Sequence, residues 1–267
     1  MRQIDRVRET EPMKPACDIA ALEEVAARAV PPGEVCEIGG WLARFTGDLP
    51  ARRANSVLAR AHAGPDAEAT LAAVERFYAE RGRPARFQVT PASRPEGLRA
   101  LLRRRGYALE SPTDVWVGAL AGAAALRPAP GARVALAPEP GAGWWEAWRT
   151  TLGISHERTA GPAALFGRLR LPTAFVAVGL DSTVAAVGMG VCDGRWLGIF
   201  NMATRPQLRR CGAGRTVLAA LARWASSYGA TDAYLQVDVT NHRARALYRL
   251  AGLNAAYRYA YLTRELQ

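Results

Sequence analysis

Residues 205–215 read Arg205-Pro-Gln-Leu-Arg-Arg-Cys-Gly-Ala-Gly-Arg215, between an apolar run over 195–204 and a helical pattern from Thr216 to Tyr228. A strand, a glycine-bearing loop and a helix together make a phosphate-binding arrangement. Glycine lets backbone approach an anion closely, successive N–H groups point at it, and the helix N-terminus adds its positive dipole end. Arg209, Arg210 and Arg215 bring charge to the same place. The order Arg209-x-x-Gly212-x-Gly214 is not the dinucleotide fingerprint G-x-G-x-x-G, and no acidic residue ends a following strand in the context that fingerprint requires. No Gly-Lys-Ser or Gly-Lys-Thr is present, so it is not a P-loop either.

Beyond the helix and the next strand comes Asn241-x-x-Ala244-x-x-Leu247-Tyr248-x-x-x-Gly252. Taken with Pro206-x-x-Arg209-x-x-Gly212-x-Gly214, this pattern, spanning Asn201 to Leu253, resembles the GNAT N-acetyltransferase superfamily. The resemblance implies acetyl-CoA as cosubstrate and no metal. It implies that Arg209, Arg210, Cys211, Gly212, Ala213, Gly214 and Arg215 wrap the pyrophosphate, and that Met202, Ala203 and Thr204 run beside the pantetheine arm. Asn241 and Ala244 are then cofactor contacts, and Tyr248 lies near the sulfur.

The chemistry of acetyl transfer sets its own requirements. An amine with a lysine-like pKa of about 10.4 must lose a proton before it attacks a thioester, so a base or a water chain leading to one is needed. The oxyanion formed calls for a backbone N–H on the edge of a splayed strand, expected around Met202. A departing thiolate, with a pKa of roughly 8.5 if it is like cysteine, is helped by a phenol donor, for which Tyr248 stands in the right motif. Attack is direct and needs no covalent enzyme intermediate. Glu157 is the candidate base, with His156 and Asp193 as neighbours in sequence or strand order, although each also reads as an ordinary surface residue.

Several of these residues also have structural readings, which the motif outweighs for Tyr248, Arg209 and Arg210 and which Asn241 can combine with cofactor contact. Tyr248 suits core packing, Asn241 suits a helix N-cap, and Arg209 with Arg210 suits a solvated pair. Cys211 reads as a small filler without chemistry of its own. Trp144, Trp145 and Trp148 share a short helix, either as a face packed on a sheet or as the wall of an aromatic acceptor pocket.

Two halves of the chain run through the same series of elements. In the second half a helix ends at Gly229, a strand covers Ala233 to Val239, a helix covers His242 to Leu250, and a last strand passes through Tyr257 to Leu262. The first half offers a helix over Ala67 to Glu80, a strand over Ala85 to Thr90, a helix over Glu96 to Arg105 and a strand over Asp114 to Leu120. Gln88-Val89 matches Gln236-Val237, and Arg105-Gly106-Tyr107 matches Ala251-Gly252-Leu253.

The expected fold class is α/β: two tandem GNAT domains, each a mixed, mostly antiparallel twisted sheet flanked by helices. A disordered tail is expected over 1–15, a degenerate GNAT-like domain over 16–126, a Pro/Gly linker over 127–132 and the catalytic domain over 133–267. The first half is degenerate because its loop, through Ala61-His-Ala-Gly-Pro-Asp-Ala-Glu68, keeps one glycine, and Asp66 and Glu68 would repel a pyrophosphate. Trp41-Leu-Ala-Arg44 followed by Arg53-Ala-Asn-Ser56 resembles the N-terminal half of some bacterial tandem GNAT proteins. Such a half would pack beside the active one and help shape the acceptor cleft.

A net charge of +11 raises nucleic acid or another polyanion as a partner. Yet Lys14 is the only lysine, and the arginines are spread through both halves with no dense run interleaved by aromatics. Nucleic acid is therefore the weaker reading, and a small-molecule amine or a protein amine is the expected partner. Cys17, Cys36, Cys192 and Cys211 have no zinc or disulfide spacing. Met1 to Pro15 has no apolar signal core and no stretch is long enough to span a bilayer, so a cytoplasmic address is expected. The competing class of function is a non-catalytic acyl-CoA sensor using the same loop.

Overall fold

The computed structural model describes residues 17–266, apart from residues 48, 50 and 65, so the tail expected over 1–15 lies outside the described residues. The first half comprises α1 (Ile19–Arg28), β1 (Glu34–Ile38), β2 (Trp41–Phe45), β3 (Val57–Leu58), α2 (Ala67–Ala79), β4 (Ala85–Val89), α3 (Leu98–Arg104) and β5 (Ala108–Ala119). The chain continues through α4 (Leu120–Ala124), β6 (Arg133–Ala137), α5 (Ala142–Leu152), α6 (Ala160–Phe166), β7 (Thr173–Leu180), β8 (Thr183–Asp193) and β9 (Trp196–Thr204). It ends with α7 (Ala213–Ser226), β10 (Asp232–Asp238), α8 (His242–Leu250) and β11 (Asn254–Arg264).

Among the described residues all eleven strands belong to one sheet, in the order β1-β2-β3-β4-β11-β5-β10-β9-β8-β7-β6. This corrects the expectation of a separate sheet in each half. The last strand of each half is exchanged: β5 lies between β11 and β10, and β11 lies between β4 and β5. A strand left at a sheet edge exposes a row of unpaired N–H and C=O groups. Interleaving the two terminal strands gives each a partner on both sides and makes the sheet continuous. Only β3/β4 and β9/β10 are parallel, and they occupy equivalent places in the two halves.

The repeat is visible in hydrogen bonds. α3 ends with Gly106 N–H to Arg103 O at 3.0 Å and Tyr107 N–H to Leu102 O at 3.0 Å. α8 ends with Gly252 N–H to Arg249 O at 2.9 Å and Leu253 N–H to Tyr248 O at 3.0 Å. Gly106 and Gly252 have φ of 82° and 81°, the left-handed conformation that ends a helix on glycine. By this match, Leu102 stands in the first half where Tyr248 stands in the second.

Strand alternation sorts the helices onto two faces. On β7, Ala174, Val176 and Val178 join the core under α7 and α8, while Phe175 faces α5. On β11, Leu262 joins the core of α2 and α3, while Tyr257, Tyr259 and Tyr261 face α1. The loop-bearing helix α7 and the tryptophan-bearing helix α5 therefore lie on opposite sides of the sheet. Segment 127–132, expected as a linker, packs against α7, where Ala129 N–H donates to Thr216 Oγ1 at 2.8 Å.

Tyr234, fully buried on β10, has a hydroxyl with no hydrogen-bond partner. A buried unsatisfied hydroxyl costs about 1–3 kcal/mol, so Tyr234→Phe is expected to raise unfolding free energy by about 1 kcal/mol. Equilibrium urea unfolding tests this; a loss of stability would show that the hydroxyl has a partner in solution.

Candidate active site

The site begins where two strands part. β9 and β10 pair in parallel from Trp196 with Asp232 as far as Ile199 with Leu235, and residues 200–204 then have a ladder partner only on the β8 side. On that side the register slips between Val187–Ala203 and Met189–Phe200, so β9 carries one extra residue there. Asn201 supplies the kink, with φ of 53°, a left-handed conformation that asparagine tolerates better than most residues. The slip changes which way the side chains point. Phe200 and Asn201 both face the α5 side, which consecutive residues of a regular strand never do, and Met202 packs on the α7 side.

On the α7 side, the chain leaves β9 at Thr204, makes a short turn over Pro206–Leu208 and enters α7 through Arg210 and Gly212, both with positive φ. Gly212 is the N-cap of α7 and, lacking a side chain, satisfies none of the first-turn amides. A side chain here would be tight, since a Cβ on Gly212 would lie 3.0 Å from Arg215 Nη2, the movable end of a side chain, and 3.2 Å from Ala129 Cβ. Gly214 is held close as well, where a Cβ would meet Thr204 Oγ1 at 3.2 Å and Leu247 Cδ2 at 3.3 Å. The end of β9, the first turn of α7 and the middle of α8 thus converge. Arg215 Nε is shielded from solvent without a partner, while Arg209, Arg210 and Cys211 are exposed. Among the described residues Arg209 and Arg210 make no ion pair.

Tyr248 and Ala213 belong to one buried cluster, and Met202 and Ala244 pack against it. Tyr248 is 6% exposed, and its hydroxyl makes no hydrogen bond among the described residues. Burial pushes its pKa up to about 12. Asn241 is the N-cap of α8, accepting from Ala244 N–H at 3.1 Å, which confirms the capping alternative; its exposed position leaves its amide nitrogen facing solvent.

The equivalent place in the first half is closed. Asp66 caps α2 by accepting from Glu68 N–H at 3.0 Å and Ala69 N–H at 3.4 Å, so a carboxylate already occupies the amides an anion would need. Beside it, the Gly39–Gly40 turn receives Ala63 N–H, and the His62 ring lies 5.7 Å from that of Trp41. Gln88, the counterpart of Gln236, pairs in the β3/β4 ladder and donates to Glu23 at 2.7 Å. Gln236 sits one residue past the end of the β9/β10 ladder, and its Nε2 is buried without a partner.

On the α5 side a cavity of about 430 Å³ opens on the bulge. Phe200 and Asn201 form one end, Trp148 and Phe166 the aromatic wall, and Leu49 with Ala51 bring the first half to it. The tryptophan helix packs on the sheet, as one of its readings has it, and one of its three indoles also lines the cavity. Trp144 is buried in the core, with its indole N–H donating to Gly188 O at 3.1 Å, Trp145 stacks on Phe166, and Trp148 faces the cavity. Glu157 lies elsewhere: it lines a neighbouring cavity of about 670 Å³ between 33–49 and α6, which shares Leu49 and Arg158 with the first. Asp193 is held by Arg28 at 2.7 Å, and His156 is exposed. Among the described residues that line the bulge cavity there is no carboxylate and no imidazole.

Sequence reasoning missed Asn201 as the kink, Thr216 as the anchor of Ala129, Gln236 in the gap, and Leu49 and Ala51 as cavity walls. Only Asn201 left a signal, as a polar residue tolerant of positive φ within an apolar strand. The others depend on which segments the fold brings together.

The open, glycine-capped α7, the close approach at Gly214 and the split beside Met202 fit a pyrophosphate followed by an extended arm. No helix among the described residues is long and apolar enough to cross a membrane. Among curated proteins no relative matches by sequence. The fold is shared with a GCN5-related N-acetyltransferase from Kribbella flavida, at TM-score 0.70 and 16% identity, covering 94% of this chain and 98% of that one. A tandem GNAT protein from the clavulanic acid biosynthesis pathway aligns at TM-score 0.64 and 13% identity, over 96% of this chain and 90% of that one. A conserved protein of unknown function from Staphylococcus epidermidis aligns at TM-score 0.65 and 10% identity, over 89% and 95%. Residues 16–262 match the family model described as "Probable histone acetyltransferase Rv0428c C-terminal", and the chain belongs to this family, on a GNAT fold like that of tandem GNAT proteins.

Proposed function

We propose that the chain is an N-acetyltransferase that moves acetyl from acetyl-CoA to a primary amine by direct attack in a ternary complex. Its catalytic unit is 133–267 and its degenerate partner 16–126. The observation that carries this reading is the contrast between the two helix N-termini, α7 open behind Gly212 and α2 closed by Asp66.

Bound acetyl-CoA supplies an activated acyl group as a thioester. Arg209, Arg210 and Arg215 and the amides from Cys211 to Arg215 hold its pyrophosphate, and Met202 to Thr204 guide the arm toward the split. Backbone N–H groups of β9 past Ile199, Met202 foremost, stabilise the negative charge that develops on the carbonyl oxygen. Tyr248 holds a proton toward the departing sulfur. With its pKa pushed up to about 12, it keeps that proton at neutral pH, and full transfer to a thiolate of roughly 8.5 would run uphill. Tyr248 therefore acts mainly as a hydrogen-bond donor, and solvent completes protonation. Glu157 takes the ammonium proton through solvent from the outer cavity, since no carboxylate or imidazole among the described residues lines the inner one.

The test is calorimetric titration of acetyl-CoA, followed by thiol release with a panel of amines. Binding with turnover supports the enzyme, binding without turnover on any amine supports an acyl-CoA sensor, and absence of binding overturns both. Tyr248→Phe is expected to lower kcat about 10-fold to 100-fold with acetyl-CoA affinity changed less than about 3-fold, the pattern of a donor used only in the transition state. Unchanged kcat would return Tyr248 to packing.

A further inference from the structure

The inner cavity is lined by groups of three chemistries: a carboxamide, aromatic and aliphatic surface, and a guanidinium. At the bulge, Asn201 Nδ2 is turned to Met189 Sδ at 3.7 Å, which leaves Oδ1 as an acceptor for an N–H of a bound amine. Trp148, Phe166, Phe200 and Leu49 give the lining a surface for an apolar or aromatic body. Trp148 is 5% exposed, and its indole N–H is buried without a partner. At the junction with the outer cavity stands Arg158, a guanidinium that makes no ion pair among the described residues. None of the described lining residues is acidic, and the chain as a whole carries +11.

Within the inner cavity a polycationic acceptor would find no counter-charge and one like charge, the carboxylates of Glu34 and Glu157 belonging to the outer cavity, which disfavours polyamines, aminoglycosides and lysine-rich tails. The geometry points to a different class of acceptor: a primary amine joined through an apolar, aromatic-sized body to a distal carboxylate, with the amine at Asn201 and the carboxylate at Arg158. This inference deepens the acetyl-transfer reading and rests on it. The first half takes part through Leu49 and Ala51, so acceptor choice belongs to both halves.

The experiment uses the full chain with acetyl-CoA and four probes: 4-(2-aminoethyl)benzoate, 2-phenylethylamine, spermidine and a lysine-rich peptide. The carboxylate-bearing amine is expected to show a kcat/KM about 10-fold above 2-phenylethylamine, in line with one charge-assisted hydrogen bond, and at least about 100-fold above the two polycations. Arg158→Gln should erase the first difference by raising KM for the carboxylate alone and leaving 2-phenylethylamine unaffected. Ala51→Phe, which fills the cavity from the first half, should lose both aromatic amines while acetyl-CoA affinity holds.

Preference for spermidine or the peptide overturns the inference, as does an equal effect of Arg158→Gln on the two aromatic amines. Acetyl-CoA binding with no turnover of either aromatic amine also overturns it and leaves the cosubstrate assignment standing. Failure of acetyl-CoA to bind removes both.

Discussion

Gly212→Glu is expected to weaken acetyl-CoA binding at least about 100-fold while the protein stays folded. The new carboxylate would stand at the amides of the first turn of α7, where it repels the pyrophosphate; unit charges about 4 Å apart near a protein surface interact by about 4 kcal/mol. In the first half a carboxylate already stands at a helix N-terminus, that of Asp66, which accepts from Glu68 and Ala69 N–H. At φ of 82° any side chain on residue 212 is strained, a cost shared by every substitution there. Gly212→Ala carries the strain without the charge, and its loss of affinity should be several-fold only. Calorimetry on the three proteins, with far-UV circular dichroism as a check of fold, separates the terms. Wild-type-like affinity in Gly212→Glu would sink the assignment of this loop to the pyrophosphate.

Glu23→Ala is expected to lower unfolding free energy by about 3–5 kcal/mol, the range for removing one partner of a buried ion pair. Glu23 accepts from Arg53 Nη1 at 2.9 Å, Gln88 Nε2 at 2.7 Å and Tyr257 hydroxyl at 2.7 Å, and so ties α1 to the turn before β3, to β4 and to β11. Burial alone would lower the pKa of Arg53, but Glu23 and the ring of nearby tyrosines reverse this and raise it, so the guanidinium stays charged. Without Glu23 that charge is buried with no counter-ion. Because α1 leads into Ala29 and Val30 on the inner cavity, acceptor affinity should fall along with stability. Guanidinium unfolding of Glu23→Ala and of Glu23→Leu with Arg53→Met checks the cause, since the double variant should recover much of the loss. A cost under about 1 kcal/mol for Glu23→Ala would show that the pair is not what secures α1.

Elements that carry their own signals were legible from residue order. The helix read over Ala67 to Glu80 is α2 at Ala67–Ala79, and the one read over His242 to Leu250 is α8 with the same bounds. Each has an N-cap residue at its start, an apolar stripe and a defined stop, all of them local. β5 begins at Ala108, six residues before the Asp114 start that residue order suggests, because its first residues are exposed, polar or proline and become strand only by pairing with β11. α1 is not among the elements legible from residue order. Its buried Glu23 breaks the apolar stripe, and the reason for a carboxylate there lies in Arg53, Gln88 and Tyr257, far along the chain.

Residue order by itself determined the family, the loop from Arg209 to Arg215 and the repeat of two halves, because close approach to phosphate and helix punctuation depend on residue types at fixed short spacings. Tertiary structure decided the rest. The exchange of β5 and β11 merges two expected sheets into one, and the bulge at Asn201 turns two consecutive side chains to one face. The meeting of Leu49 and Ala51 with Trp148 and Arg158 builds the inner cavity, proposed here as the acceptor site. Each is a contact between segments tens to hundreds of residues apart, where strand edges and apolar faces must find partners that no local pattern names.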